Sequence, residues 1–175
     1  EYILALNEKT DQFLDVDYGT GEKLPENFSF AGYRLFPTIL AWLTAPLILL
    51  TVVTLTKSLI LGLMVSALYT FDNAIIVHSR AAMLESTQIF FIVLSLLTFF
   101  TILQRKSTKA TLMVLSAVCG AAIAATIATK VNALLLLILL PLLLIAPRQI
   151  SLKLRSLSFI IATISLVVVY FGIWR

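Results

Sequence analysis

Charge is scarce in this chain. Only 13% of its 175 residues are charged, and it holds one cysteine and one histidine. A single Cys and a single His, far apart, exclude a disulfide framework and a Cys/His metal site, so no metal is expected. Cys119 lies in an apolar run and reads as a small core residue. Acidic residues are rare beyond the start of the chain, since seven of the nine fall within the first 26 positions. The net charge of +4 is too small to argue for a nucleic acid partner, and none is expected. The opening "EYILALNEKTDQF" lacks the basic and apolar regions of a secretory signal, and no Met begins it. Both features read as those of a segment from a longer protein.

Apolar side chains are abundant. They make up 60% of the chain, against about 45–50% in soluble domains. Mean hydropathy is +1.02. Lipid is therefore the expected solvent. A helix needs about 20 apolar residues to cross hydrocarbon. Six runs come near this, at roughly 35–56, 58–77, 81–103, 110–129, 131–147 and 157–174. Backbone groups in lipid must be satisfied within a helix or a closed barrel. A barrel needs alternating polarity, which "ALLLLILLPLLLIA" lacks. The expected fold is an all-α polytopic membrane protein of about six transmembrane helices, spanning 34–175, with an N-terminal loop at 1–33. Pro141 is expected to kink its span rather than forbid it.

Basic residues concentrate in alternate gaps. The positive-inside rule assigns the gaps at 56–58, 104–109 and 148–155 to the cytoplasm. Residues 1–33, the 72–80 gap and Lys130 then lie on the extracytoplasmic face. The 1–33 stretch is polar and punctuated by Gly and Pro, as a loop is. Within it, "DVDYGTGE" fails the calcium-loop pattern at Gly19 and Thr20. "NFS" at Asn27 is a glycosylation sequon.

The stretch "FDNAIIVHSRAAMLESTQIFF" interrupts two apolar runs with Asp72, Asn73, His78, Ser79, Arg80, Glu85 and Gln88. Arg80 and Glu85 sit about 140° apart around a helix, so an intrahelical pair is disfavoured and each needs a partner elsewhere. Glu85 and Gln88 share a face that should point into the bundle. A carboxylate within a span is costly and marks a functional or network-forming position. Lys130 closes "ATIATK" on the face where the positive-inside rule would not choose a lysine. Arg80 and Lys130 thus form an expected outer-face cationic pair. Arg offers a bidentate fork and Lys a point charge, so both are assigned to the phosphate of a lipid-linked donor. Asp72, Asn73, His78, Ser79, Glu85 and Gln88 are assigned to the rim and surroundings of that site.

The string "DNAIIVHSRAAMLES" resembles the signature of the protein O-mannosyltransferases, roughly D/E-N-A-x-x-x-Q-S-R-x-x-L-L-D/E-S. Asp72, Asn73, Ala74, Ser79, Arg80, Leu84, Glu85 and Ser86 match it. His78 stands where the family usually has Gln, and Met83 where it has Leu. "YRLFPTILAWLTAPLIL" resembles the family's next-upstream span, and "ATK" at 128–130 the lysine that ends a later one. The resemblance implies a GT-C membrane glycosyltransferase. Such an enzyme passes mannose from a polyprenyl-phosphate donor to Ser or Thr of a protein, with inversion, on the extracytoplasmic face. It implies membrane lipids, polyprenyl-phosphate mannose and a protein acceptor as partners, needs no cofactor, and allows a dimer. The location implied is the plasma membrane in a prokaryote or the endoplasmic reticulum in a eukaryote. The family's catalytic carboxylate belongs to an Asp-Glu pair followed by His-Pro-Pro. Neither motif occurs here, so no catalytic residue is nominated in the chain and the base is expected upstream of residue 1. Two alternatives remain: a related GT-C enzyme with another sugar or acceptor, and a non-catalytic transporter or scaffold. Transporters tend to carry internal repeats and midplane polar sites; no clear repeat is visible, and the polar cluster sits at the outer rim.

Overall fold

The computed structural model describes residues 31–73, 84–104, 108–145 and 150–173. Residues 74–83, with His78, Ser79 and Arg80, lie outside them, as do most of the expected N-terminal loop and Arg105, Lys106 and Arg148. Among the described residues all regular structure is helical, and no strand occurs. The elements are α1 (Ala31–Thr56), α2 (Leu59–Phe71), α3 (Leu84–Gln104), α4 (Lys109–Thr129), α5 (Leu139–Ile145) and α6 (Leu152–Ile173), with a 3₁₀ helix, Val131–Ile138, running into α5. Residues 31–33, expected in the loop, belong to α1. Four stretches are long and apolar enough to cross a membrane: Leu35–Thr56, Glu85–Gln104, Lys109–Thr129 and Leu152–Ile173. Leu59–Phe71 and Val131–Ile145 are shorter apolar stretches.

The helices pack in the spatial order α2, α1, α3, α4, α6, α5. α4 is the most enclosed, with Leu112, Cys119, Gly120, Ile123 and Ile127 among its buried residues. Cys119 is fully buried, as read from the sequence, and its thiol faces the Ser95 carbonyl of α3 at 3.7 Å. Helices in lipid gain little from apolar contact alone, because acyl chains are as apolar as leucine. Close backbone approach and interhelical hydrogen bonds must do more. Gly120 is where α4 meets α6 most closely: a Cβ added there would fall 2.8 Å from the backbone carbonyl carbon of Ala162. Ser165 of α6 donates to the Ala117 carbonyl of α4 at 2.7 Å. Between α1 and α2, Ser66 donates to the Ala45 carbonyl at 2.9 Å and Tyr69 to that of Ala41 at 3.3 Å. Both acceptors lie in the turn before Pro46, a proline inside α1.

Hydroxyls inside the helices serve their own backbone. Thr44, Ser116 and Thr126 are fully buried, and each donates to the carbonyl four residues earlier at 2.7–2.8 Å. Ser58 caps α2 by accepting from the Leu61 amide, and Thr108 caps α4 by accepting from that of Thr111.

The structure sharpens two details of the sequence reading. Close to Pro141, where a kink is expected, the helix switches from 3₁₀ to α at Leu139. Pro141 then falls in the first turn of α5. The eight 3₁₀ residues rise faster than an α-helix, so Val131–Ile145 reaches about 26 Å, compared with about 22 Å as pure α-helix. Lys153 and Arg155, expected in a connecting gap, lie in the first turns of α6. Arg155 bends its guanidinium back to the Ile150 carbonyl at 2.8 Å and the Leu144 carbonyl at 3.5 Å. It thereby satisfies acceptors at the end of α5 and beside the start of its own helix.

The α4–α6 contact makes a direct prediction. Gly120→Ala is expected to destabilise the bundle by about 1–3 kcal/mol, because the neighbour that must yield is backbone. Gly172→Ala, at a position with open space within 4 Å, is expected to be neutral or slightly stabilising. Unfolding titrations of both variants in mixed micelles test this, and equal effects would refute the tight-contact reading.

Candidate functional site

α3 is pinned at both ends. At its first turn, Glu85 forms an ion pair with Lys130 of the α4 terminus. One turn deeper, Gln88 donates from Nε2 to Oδ1 of Asn132 in the 3₁₀ helix at 2.8 Å. At the other end, Gln104 accepts from Lys57 Nζ, which also donates to the Thr54 carbonyl at 2.7 Å. From Glu85 to Gln104 the helix rises about 29 Å, close to the hydrocarbon thickness of about 30 Å. The two clasps therefore stand near opposite faces of a bilayer.

Local structure explains the Lys130 end. α4 stops at Lys130, whose extended backbone closes the helix through its amide on the Thr126 carbonyl at 3.1 Å. Its positive charge sits at a helix C-terminus, and Glu85 sits in the first turn of α3. Each is where the dipole of its helix favours its charge. Gln88 is buried, and its amide finds a partner, which matters because an unsatisfied polar group in an apolar setting is costly. Asp72 ends α2 as its C-cap, and Asp72 and Asn73 are both exposed. They lie at the same end of the bundle as Lys130, since α2 and α4 both terminate there.

Several sequence-nominated residues are thus brought together. Glu85, Gln88 and Lys130 form one cluster, and the polar face of Glu85 and Gln88 does point at neighbouring helices. The partner that Glu85 needs is Lys130, on another helix. Arg80, His78 and Ser79 lie outside the described residues. Asn132 was not singled out from the sequence. Its signal was an amide near the start of an apolar run, two residues after Lys130. The Lys57–Gln104 clasp was likewise not anticipated. Among the described residues no cluster of His, Cys, Asp and Glu could hold a metal ion.

An all-helical chain with several membrane-crossing stretches and polar clasps near both membrane faces is a polytopic integral membrane protein. The family model for dolichyl-phosphate-mannose-protein mannosyltransferase matches residues 2–174. The chain belongs to this family, and membership implies membrane mannosyltransferase activity. No curated protein and no solved structure matches the chain.

The Glu85–Lys130 side chains are 39% and 38% exposed. Their pairing is expected to contribute about 0.5–1 kcal/mol of coupling, since exposed ion pairs and hydrogen bonds between membrane helices both fall in this range. A double-mutant cycle with Glu85→Ala and Lys130→Ala measures it. Strictly additive losses would show that the pair is not energetically linked.

Proposed function

We propose that this chain supplies the donor-phosphate side of a protein O-mannosyltransferase, which moves mannose from a polyprenyl phosphate to Ser or Thr of an acceptor protein on the extracytoplasmic face. The observation that carries this reading is the Glu85–Lys130 pair at the membrane-edge end of α3 and α4. A lysine ammonium has three donors. Glu85 takes one, which fixes the ammonium in place and leaves donor capacity for a phosphate oxygen. Arg80 lies five positions before Glu85 in the chain and adds a guanidinium fork suited to the same anion.

The chemistry demands such a group. When the sugar departs, negative charge grows on the lipid phosphate, and fixed cations stabilise it most where water is sparse. Asp72, Asn73, His78 and Ser79 are assigned to the rim of the site from their place in the sequence, and Gln88 joins α3 to the 3₁₀ helix through Asn132. The proposed extracytoplasmic placement rests on charge sorting. Lys57, beside Gln104, and Lys109, at the start of α4, stand at the end opposite Lys130, which the positive-inside rule assigns to the cytoplasm.

Transfer by the full-length enzyme from radiolabelled polyprenyl-phosphate mannose tests the reading. Arg80→Ala and Lys130→Ala are each expected to lower transfer about 10–100-fold while membrane insertion is retained, as loss of one charge-stabilising donor does. Glu85→Gln is expected to raise KM for the donor more than it lowers kcat, because Lys130 loses its anchor. Unchanged transfer in Arg80→Ala and Lys130→Ala would remove the phosphate assignment.

A further inference from the structure

A crevice of about 480 Å³ opens between α1, α3 and α4 at the end of the bundle away from Lys130. Leu50, Val53, Leu97 and Leu115 form its walls, and Lys57 and Gln104 stand among its lining residues. Its volume falls within the range of about 300–1,000 Å³ typical of ligand sites. Two lining threonines spend their hydroxyls on their own helices: Thr98 on the Leu94 and Ser95 carbonyls at 2.9 Å, and Thr101 on the Leu97 carbonyl at 2.6 Å. Apart from Thr54, Lys57 and Gln104 the wall is therefore mainly apolar, and among the described residues no carboxylate lines it.

Lys57 is held in an unusual way. It has φ 58, a left-handed conformation that disfavours any residue with a Cβ. Its amide closes α1 on the Val53 carbonyl at 2.9 Å. Its ammonium is aimed at Thr54 and Gln104, beside the crevice. Two of its three donors are thus used on neutral acceptors, and among the described residues no negative group in the crevice lining neutralises it. A cation above an apolar slot, one membrane thickness from the other clasp, matches a molecule with an anionic head and a hydrocarbon tail.

We propose that this crevice is a binding site for an anionic phospholipid of the leaflet at the Lys57 end, with the phosphate on Lys57 and one acyl chain along Leu50, Val53, Leu97 and Leu115. The site is separate from the donor-phosphate site, which lies at the opposite end of α3. The cytoplasmic leaflet, to which positive-inside sorting assigns this end, is the leaflet rich in anionic lipid.

The full chain in nanodiscs containing equal amounts of phosphatidylglycerol and phosphatidylcholine provides the test, read as lipid retained on native mass spectrometry. Phosphatidylglycerol is expected to be retained preferentially. Lys57→Gln should weaken that retention about tenfold, the loss expected for one charge-assisted hydrogen bond. Lys57→Arg should preserve it. Leu50→Trp, which narrows the slot from its exposed rim, should reduce retention with Lys57 intact. Glycerol phosphate, the head without the tail, should not compete at concentrations that saturate the lipid. Circular dichroism melts identify any variant that has simply unfolded. The proposal is overturned by equal retention of the two lipids, by Lys57→Gln behaving as the unaltered chain, by Leu50→Trp leaving retention unchanged, or by effective competition from glycerol phosphate.

Discussion

The architecture depends on how α3 is fixed along the membrane normal. Apolar surfaces that face lipid or one another have nearly the same energy, so a greasy helix can slide or rotate at little cost. α3 is denied that freedom by polar contacts at both ends, Glu85 and Gln88 on Lys130 and Asn132, and Gln104 on Lys57. Each contact is modest. Together they set a register that no leucine could set, because breaking either leaves a charge or an amide to be resolvated at a greasy boundary.

Small residues supply the complementary constraint. At Gly120 the backbones of α4 and α6 come so close that even a methyl group would strike Ala162. Dispersion grows with the number of atoms in contact, and close backbone approach brings many atoms together. α4 can therefore bury Ser116, Gly120, Ala122, Ala124 and Thr126 and still be the most enclosed element of the bundle. Its rigidity matters because Lys130 is its terminal residue.

The coarse fold was legible because hydrocarbon imposes a simple rule: long apolar runs must be helices. Cys119 was legible as core for the same reason. The shared face of Glu85 and Gln88 followed from helical periodicity alone. The pairing of Glu85 with Lys130 was not legible, since 45 positions separate them and no local pattern encodes which helices become neighbours. The sequence reading grouped Lys130 with Arg80 by charge and outer-face position, with Glu85 at the rim; the structure pairs Lys130 with Glu85. Asn132 was hidden because one amide barely alters the hydropathy of an apolar run. The 3₁₀ stretch was hidden because 3.0 and 3.6 residues per turn cannot be told apart in a segment that is apolar on every side. The basic start of α6 was assigned to a loop because charge was taken as a boundary, whereas Arg155 remains helical by turning back onto carbonyls at the interface.

The exposure of the Glu85–Lys130 pair fits its proposed role better than either extreme would. A lysine with no partner at this depth would extend toward water and adopt no fixed position. A fully buried pair would be closed to any third group, because all its hydrogen-bonding capacity would have to be used internally. A lysine about 38% exposed and paired with one carboxylate is held in place. It also keeps donors for an incoming oxygen. The helix dipoles act in the same direction, since the α4 terminus favours the cation and the α3 start favours the anion even when their contact is shared with a third charge. In the proposed role, a phosphate arriving from the bilayer surface would meet a cation whose position has already been fixed, so less ordering would remain to be done on binding.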